Sequence, residues 1–303
     1  MERKSKSSSR AAALRADKWL GGQYPNLNGR HIEEAFREGL VLSSTGAKVK
    51  KGDRIGPEGL DCLALEKHLK TLREGNPKLV VRILAENESW LAVDKPPGMP
   101  SHPISLFDRD TVTHWALAKY PSIGREFPQV QPTISPHRLD TDTSGILIVA
   151  KTKLAYDDWR RGFESKLIEK SYLAWCWGDP EKDVYATELP IAHAPGKQSK
   201  MVVVEGTRRV SPPVMPASTT MDVISRRKNG VFLAKIHCKT GVTHQVRVHL
   251  AFLGFPLVGD KKYDPLWEKR SIQESRHWLR ASELKYRDLV ISSDRTEFES
   301  KTW

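Results

Sequence analysis

The polar stretch His137-Arg138-Leu139-Asp140-Thr141-Asp142-Thr143-Ser144-Gly145 runs without a break into the apolar run Ile146-Leu147-Ile148-Val149-Ala150. The apolar run reads as a buried strand. A buried strand commits the chain to a sheet around it, and the loop that feeds it is held by a rigid element. Catalytic groups sit preferentially on such loops. This one carries a carboxylate, Asp140, close to a guanidinium, Arg138. The bland alternative is a structural turn, in which Asp and Ser cap backbone groups and Gly supplies the bend. On the loop alone, both readings stand.

Charge narrows the partner. The 303 residues carry 49 Lys and Arg against 37 Asp and Glu, a formal net charge of +12. The cations are spread along the whole chain, which suits a broad face for a polyanion, most simply nucleic acid. Hydrophobic residues make up 39% of the chain, enough for a sizeable core and two domains. Cys62, Cys176 and Cys238 are too few and too scattered for a disulfide framework or a cysteine-only zinc site, so a reducing compartment is expected. No apolar run approaches the length of a membrane span. The polar start, residues 1–13, has no apolar core of a secretory signal and is expected as a disordered basic arm. A cytoplasmic monomer is the expectation.

Residues 14–59 read as a small module of helices and short strands. Asp17-Lys18-Trp19-Leu20 closes a first helix that Gly21-Gly22 should stop. A second spans 29–37, with Ile32, Ala35 and Phe36 on one face. A hairpin is predicted over 40–49, and the turn Lys51-Gly52-Asp53 precedes Arg54-Ile55. Residues 60–78 are polar, end in the breaker cluster Glu74-Gly75-Asn76-Pro77, and read as a linker. The large domain, 79–303, opens with two strand-like runs, 79–84 and 90–93. The second runs into Asp94-Lys95-Pro96-Pro97-Gly98, with His102-Pro103 a little beyond. After the Asp140 loop come a strand, an amphipathic helix around 154–163, and Lys170-Ser171-Tyr172-Leu173-Ala174 opening a strand over 172–177. Later stands Thr240-Gly241-Val242-Thr243-His244-Gln245-Val246-Arg247-Val248-His249-Leu250, then Gly254-Phe255-Pro256-Leu257-Val258-Gly259-Asp260 and Tyr263. There Val246, Leu250 and Leu253 share a helical face, and Arg247 points elsewhere.

In this order the pieces resemble the RluA family of pseudouridine synthases: (N/D)-K-P-x-G, H-R-L-D-x-x-T-S-G, K-x-Y-x-A, and T-G-R-T-H-Q-I-R-V-H-L-A followed by G-D-x-x-Y. Val242 stands where the family has its first Arg of the last motif. Arg280, in Arg276-His277-Trp278-Leu279-Arg280-Ala281, stands where His is usual. The small module resembles the RNA-binding domain named after ribosomal protein S-four, through Arg15, Asp17, Lys18, Leu20, Gly39, Val41, Gly46, Gly52, Asp53 and Ile55. Thr45 replaces that domain's usual Asn. The resemblance implies an α+β fold, with a mostly antiparallel or mixed sheet in the catalytic domain.

It also implies uridine-to-pseudouridine isomerisation in structured RNA, ribosomal RNA first and transfer RNA second. Asp140 is the implied catalytic carboxylate and Tyr172 the aromatic face against the base. Arg138 is the implied side chain that enters the space of the flipped uridine, with His137 beside it. Arg247 is the candidate cation that keeps Asp140 ionised. Lys18, Arg30 and Arg37 are the candidate phosphate contacts. Neither a cofactor nor a metal is expected. His244 and His249 stand about 140° apart on a helix, which is no zinc pair. A protease reading of Asp142-Thr143-Ser144-Gly145 fails because no second such loop exists to share a proton. No phosphate-binding or dinucleotide glycine pattern occurs. The remaining alternative is a non-catalytic RNA-binding or ribosome-assembly factor on the same scaffold.

Overall fold

The computed structural model describes residues 14–129, 133–207 and 209–303. The arm expected over 1–13 lies outside the described residues. The N-terminal module holds β1 (Leu14–Arg15), α1 (Ala16–Gln23), α2 (Gly29–Arg37), β2 (Leu42–Ser43), β3 (Arg54–Ile55), β4 (Leu60–Asp61) and α3 (Leu63–Thr71). α1 does not stop at Gly21-Gly22 but runs through both. Gly21 faces α2 so closely that an added Cβ would stand 3.3 Å from Ile32 Cδ1. α2 starts at an Asn28 cap, whose Oδ1 accepts from His31 N at 3.0 Å. The turn of the predicted 40–49 hairpin closes, with Ser43 N donating to Ala47 O at 2.9 Å. Leu42 bridges Lys48 antiparallel across that turn, and β2 also runs antiparallel to β4, as β3 does to β1.

The linker expected over 60–78 is not one. Its first two-thirds form β4 and α3, because Leu65, Leu69 and Leu72 recur at i, i+4 and i+7 and fill a core with Leu20, Ala35 and Val41. The charged residues between them face outward and hide the stripe from a composition argument. The same core swallows Leu106 of the large domain, which is 0% exposed. Around it, Glu34 Oε2 accepts from Ser105 Oγ at 3.0 Å and from Leu106 N at 2.9 Å, and His68 Nε2 lies 2.7 Å from Leu106 O.

The large domain continues with β5 (Arg82–Glu86), β6 (Trp90–Lys95), α4 (Val112–Lys119), α5 (Ile123–Glu126), β7 (Ser144–Ala150), α6 (Lys153–Glu164) and β8 (Glu169–Trp177). Then follow β9 (Val184–Thr187), β10 (Ile191–Ala194), β11 (Lys197–Val203), β12 (Ser211–Met215), β13 (Thr219–Arg226), β14 (Val231–Cys238) and α7 (Gln245–Phe252). β15 (Leu279–Tyr286), β16 (Leu289–Ser292) and α8 (Thr296–Glu299) complete it. Nine strands form one sheet in the order β5-β6-β7-β15-β8-β14-β13-β9, with β16 beside β15. Only β7 and β15 run parallel, so the sheet is mixed and the domain α+β. β10, β11 and β12 make a separate small sheet.

All seven residues of β7 are buried, between β6 and β15 and under Trp115 and Trp159. At roughly 1.5–3 kcal/mol for each fully buried aliphatic side chain, Ile146, Leu147, Ile148 and Val149 outweigh any surface ion pair of the chain. α7 covers the other half of the sheet, with Val246 and Leu250 packed among Ala174, Phe232 and Ala234. Where β7 meets β15 the backbones nearly touch. A Cβ on Gly145 would fall 2.1 Å from Ala281 O, and its φ is +102°. Only glycine fits that crossing.

Candidate active site

The Asp140 loop is tied down on every side. Thr143 N donates to Asp140 O at 3.1 Å and closes a tight turn. Ser101 Oγ accepts from Leu139 N and donates to Leu139 O, both at 3.1 Å. Thr143 Oγ1 lies 2.9 Å from His277 Nε2. Lys95, 0% exposed, donates to Pro96 O, Met99 O and Thr141 O at 3.0, 2.7 and 2.8 Å. Burial pulls its pKa down to about 7 against the opposing pull of Asp142 and Asp140. Three carbonyl acceptors match the three N–H bonds of the charged form. Gly98 N adds a bond to Thr141 O at 2.9 Å. The lysine and glycine of the Asp94–Gly98 turn thus pin the carboxylate's loop from a strand some forty positions earlier.

The cation comes from α7. Gln245 anchors the start of this helix: its Oε1 accepts from Thr240 Oγ1 and Val242 N, and its Nε2 donates to Ser218 O and Thr219 Oγ1. Arg247, 8% exposed, then donates through Nη1 to Asp140 Oδ2 at 2.8 Å. Its Nε and Nη2 grip the two oxygens of Asp260, each at 2.8 Å. The Asp260 side chain is fully buried, and the guanidinium plane also lies over the Tyr263 ring, 5.1 Å from its centroid.

Burial pushes the Asp140 carboxyl up, but the neighbouring His244, Arg247 and the Arg247 hydrogen bond more than reverse this, so it is held below its ordinary 3.8. His244 is itself pushed down to about 4, chiefly by burial. At neutral pH the standing positive charge beside Asp140 is therefore Arg247. Burial likewise takes His277 down to about 4.

Asp140 and Arg247 sit in the wall of a cavity of about 390 Å³ that Tyr172, Arg138, His137, His244 and Val242 also line. Four of the sequence-predicted residues therefore join Asp140 at one place: Tyr172, Arg247, Arg138 and His137. Burial holds the Tyr172 phenol well above its usual range, so it stays protonated. Arg138 is exposed at the cavity. His137 differs from expectation. Its Nε2 accepts from Ile148 N at 2.9 Å, its ring stacks on Phe163, and burial lowers it to about 3. A neutral ring committed to β7 offers no charge to a phosphate.

Lys18, Arg30 and Arg37 are exposed on α1 and α2, and none lines the cavity. Arg30 pairs with Glu34 and Arg37 with Glu38.

The two departures have local accounts. Val242 packs against the apolar cluster of Ile191, Met201, Val203 and Val248. Arg280 is 6% exposed and donates to Asp94 Oδ2, Ser144 Oγ and Asp294 O at 2.6, 3.3 and 2.7 Å. It ties β6, β7 and β15 together behind the loop. His249 is buried on Thr219 Oγ1 and Leu189 O at 2.8 and 3.0 Å. Sequence reasoning missed Lys95, Ser101, Asp260, Tyr263 and His277. Asp260 and Tyr263 were legible as motif letters, but nothing local says that they face Arg247.

The family model for RNA pseudouridylate synthase matches residues 89–252, which carry Asp140, Tyr172 and Arg247. An uncharacterised RNA pseudouridine synthase of Synechocystis is 31% identical over 259 residues, covering 82% of this chain and 74% of that protein. The ribosomal large subunit pseudouridine synthase D of Nitrosomonas europaea is 30% identical over 254 residues, covering 83% and 69%. The solved structure of human RNA pseudouridylate synthase domain containing 1 overlays with a TM-score of 0.60 at 24% identity, covering 73% of this chain and 86% of that one, a likeness of fold. By the family model and by relatives of this identity and coverage, the chain belongs to the RNA pseudouridine synthases of the RluA type, the isomerases that convert uridine to pseudouridine in RNA.

Proposed function

We propose that this enzyme isomerises uridines of ribosomal RNA with Asp140 as its catalytic carboxylate. Arg247 would keep that carboxylate charged, and Tyr172 would pack on the flipped base. The observation that carries the reading is the Arg247–Asp140 contact of 2.8 Å at the wall of a cavity. The reaction breaks the bond between C1′ and N1, turns the uracil, and joins C1′ to C5. The C5 proton leaves and N1 gains one, with no net redox change. Whether the carboxylate attacks the sugar or removes a proton, it must be ionised in a place shielded from water. Burial alone opposes that, and a fixed guanidinium reverses it. Tyr172, kept neutral, offers an apolar face for stacking, which replaces what the base loses on leaving its helix. Arg138, exposed beside Asp140, is suited to enter the vacated space.

Ribosomal RNA as target follows from the relative named for the large ribosomal subunit. The N-terminal module would hold the RNA backbone through Lys18, Arg30 and Arg37, in the manner of the ribosomal protein S-four domain. The test is Asp140→Asn, which is nearly isosteric but cannot act as a carboxylate. Tritium release from carbon-5-labelled RNA should vanish, with RNA binding retained. Residual activity within about tenfold of wild type, ~1.4 kcal/mol of barrier, would move the chemistry to another residue. Pseudouridine mapping of ribosomal and transfer RNA with and without the gene identifies the target uridine.

A further inference from the structure

His244 lines the cavity beside Asp140, and the proposed chemistry gives it no part. Its backbone is left-handed, with φ +56° at the entry to α7. A non-glycine residue held there is strained, and such outliers cluster at functional sites. Its ring is also held from behind. Met201 N, on β11, donates to the Tyr263 hydroxyl at 3.0 Å, and that hydroxyl lies 2.7 Å from His244 Nδ1. The Tyr263 oxygen accepts from Met201, so its own hydrogen is free to bond Nδ1. Nδ1 is thereby assigned as the acceptor, which puts the ring proton on Nε2. Nε2 stands 3.8 Å from Asp140 Oδ2, beyond a hydrogen bond, and has no other partner among the described residues. Burial takes the imidazole down to about 4, so it is neutral through the physiological range. The result is a neutral N–H of fixed direction at the cavity wall, 3.8 Å from the carboxylate oxygen.

We propose that His244 donates its Nε2–H to a carbonyl oxygen of the flipped uracil, and so stabilises the base as its bond to the sugar breaks. This rests on the reading of Asp140 as the catalytic carboxylate. When the bond between C1′ and N1 cleaves, the departing uracil gains electron density, which its carbonyl oxygens carry. A fixed donor aimed at that charge favours the transition state over the ground state. His244 keeps its proton throughout and transfers nothing. The chain Met201–Tyr263–His244 thereby gives the small sheet of β10, β11 and β12 a part in positioning the group.

The test uses the full-length enzyme and a stem-loop RNA carrying the mapped target uridine. That position is made as uridine, 2-thiouridine, 4-thiouridine or 2′-deoxyuridine, since a thiocarbonyl sulfur accepts hydrogen bonds poorly. Single-turnover rates are measured for wild type, His244→Phe, His244→Asn and Tyr263→Phe, with unfolding midpoints and RNA affinities alongside.

His244→Phe should lower the rate on uridine by about 10²–10³-fold, the usual loss for one such donor, with affinity within about twofold. On one of the two thio substrates wild type should be slowed, and His244→Phe should slow it no further. That lack of additivity identifies the carbonyl. Tyr263→Phe should show a smaller loss with the same signature, because the ring's tautomer is then unset. His244→Asn tolerates the left-handed backbone and presents an amide N–H, so it should recover part of the rate; it also separates a lost donor from a misfolded loop.

Equal losses on uridine and both thio substrates overturn the proposal, as does non-additivity confined to 2′-deoxyuridine, which would place the donor on the ribose. Should Asp140→Asn stay active, the underlying reading fails instead. The two failures are therefore told apart.

Discussion

At the scale of single residues, Arg247 spends one hydrogen bond on Asp140 and two on Asp260. It therefore serves folding as well as the chemistry proposed for Asp140. Arg247→Met would strand a fully buried carboxylate, and breaking a buried pair from one side costs about 3–5 kcal/mol. A urea titration of this variant should show a loss of that size. Arg247→Lys keeps the charge and drops the fork. It should fold, turn over more slowly, and move the acidic limb of the single-turnover pH profile upward, because Asp140 would lose part of the charge and hydrogen bond that hold its pKa down. An unmoved acidic limb would break the link between this cation and that carboxylate. Stability should follow the same carboxylates. Asp140 and Asp260 are both held below 3.8, so their stabilisation is complete above about pH 4 and is lost as pH falls through their folded values. Urea midpoints from pH 6 to 2 should fall more steeply for wild type than for Asp260→Asn.

At the scale of elements, the loop before β7 works because β7 cannot move. Gly145 lets β7 lie against Ala281 of β15, and the next residues carry the buried aliphatic run. Gly145→Ala should cost on the order of 3 kcal/mol, combining a strained φ with an overpacked crossing. Chemical denaturation would register it, and tritium release should fall with it, since the Asp140 turn hangs from this strand. A variant as stable as wild type would mean that the crossing can open without cost. Lys95 and Arg280 brace the same loop from below, one by three carbonyls and the other by Asp94, Ser144 and Asp294. Arg280 is thus a working part of this sheet.

At the scale of the molecule, the N-terminal module and the large domain share a core through Leu106. Cutting the chain after residue 60 would halve β4, strip α3 of its partners and uncover that leucine, so such a truncation should express poorly or unfold at lower temperature. The cleaner test of RNA binding is a Lys18, Arg30 and Arg37 triple alanine variant, because all three are exposed. If each touches a phosphate, the slope of log affinity against log salt should become shallower by roughly two to three. An unchanged slope would take the module out of RNA binding.

The sequence by itself determined the buried β7, the turn that presents Asp140, α2, the apolar face of α7 and the course of Arg247 off that face. Each is written in local periodicity and turn chemistry over a few consecutive positions. Only the tertiary structure decided that Arg247 is shared with Asp260, that Lys95 clasps Thr141, that His137 is spent on Ile148, that His244 presents Nε2, and that 60–71 is core and not linker. These depend on partners that meet only when the sheet closes, such as Arg247 and Asp140, which stand 107 positions apart. No local pattern records such a meeting, since a donor or a charge reads the same in sequence whichever distant group satisfies it.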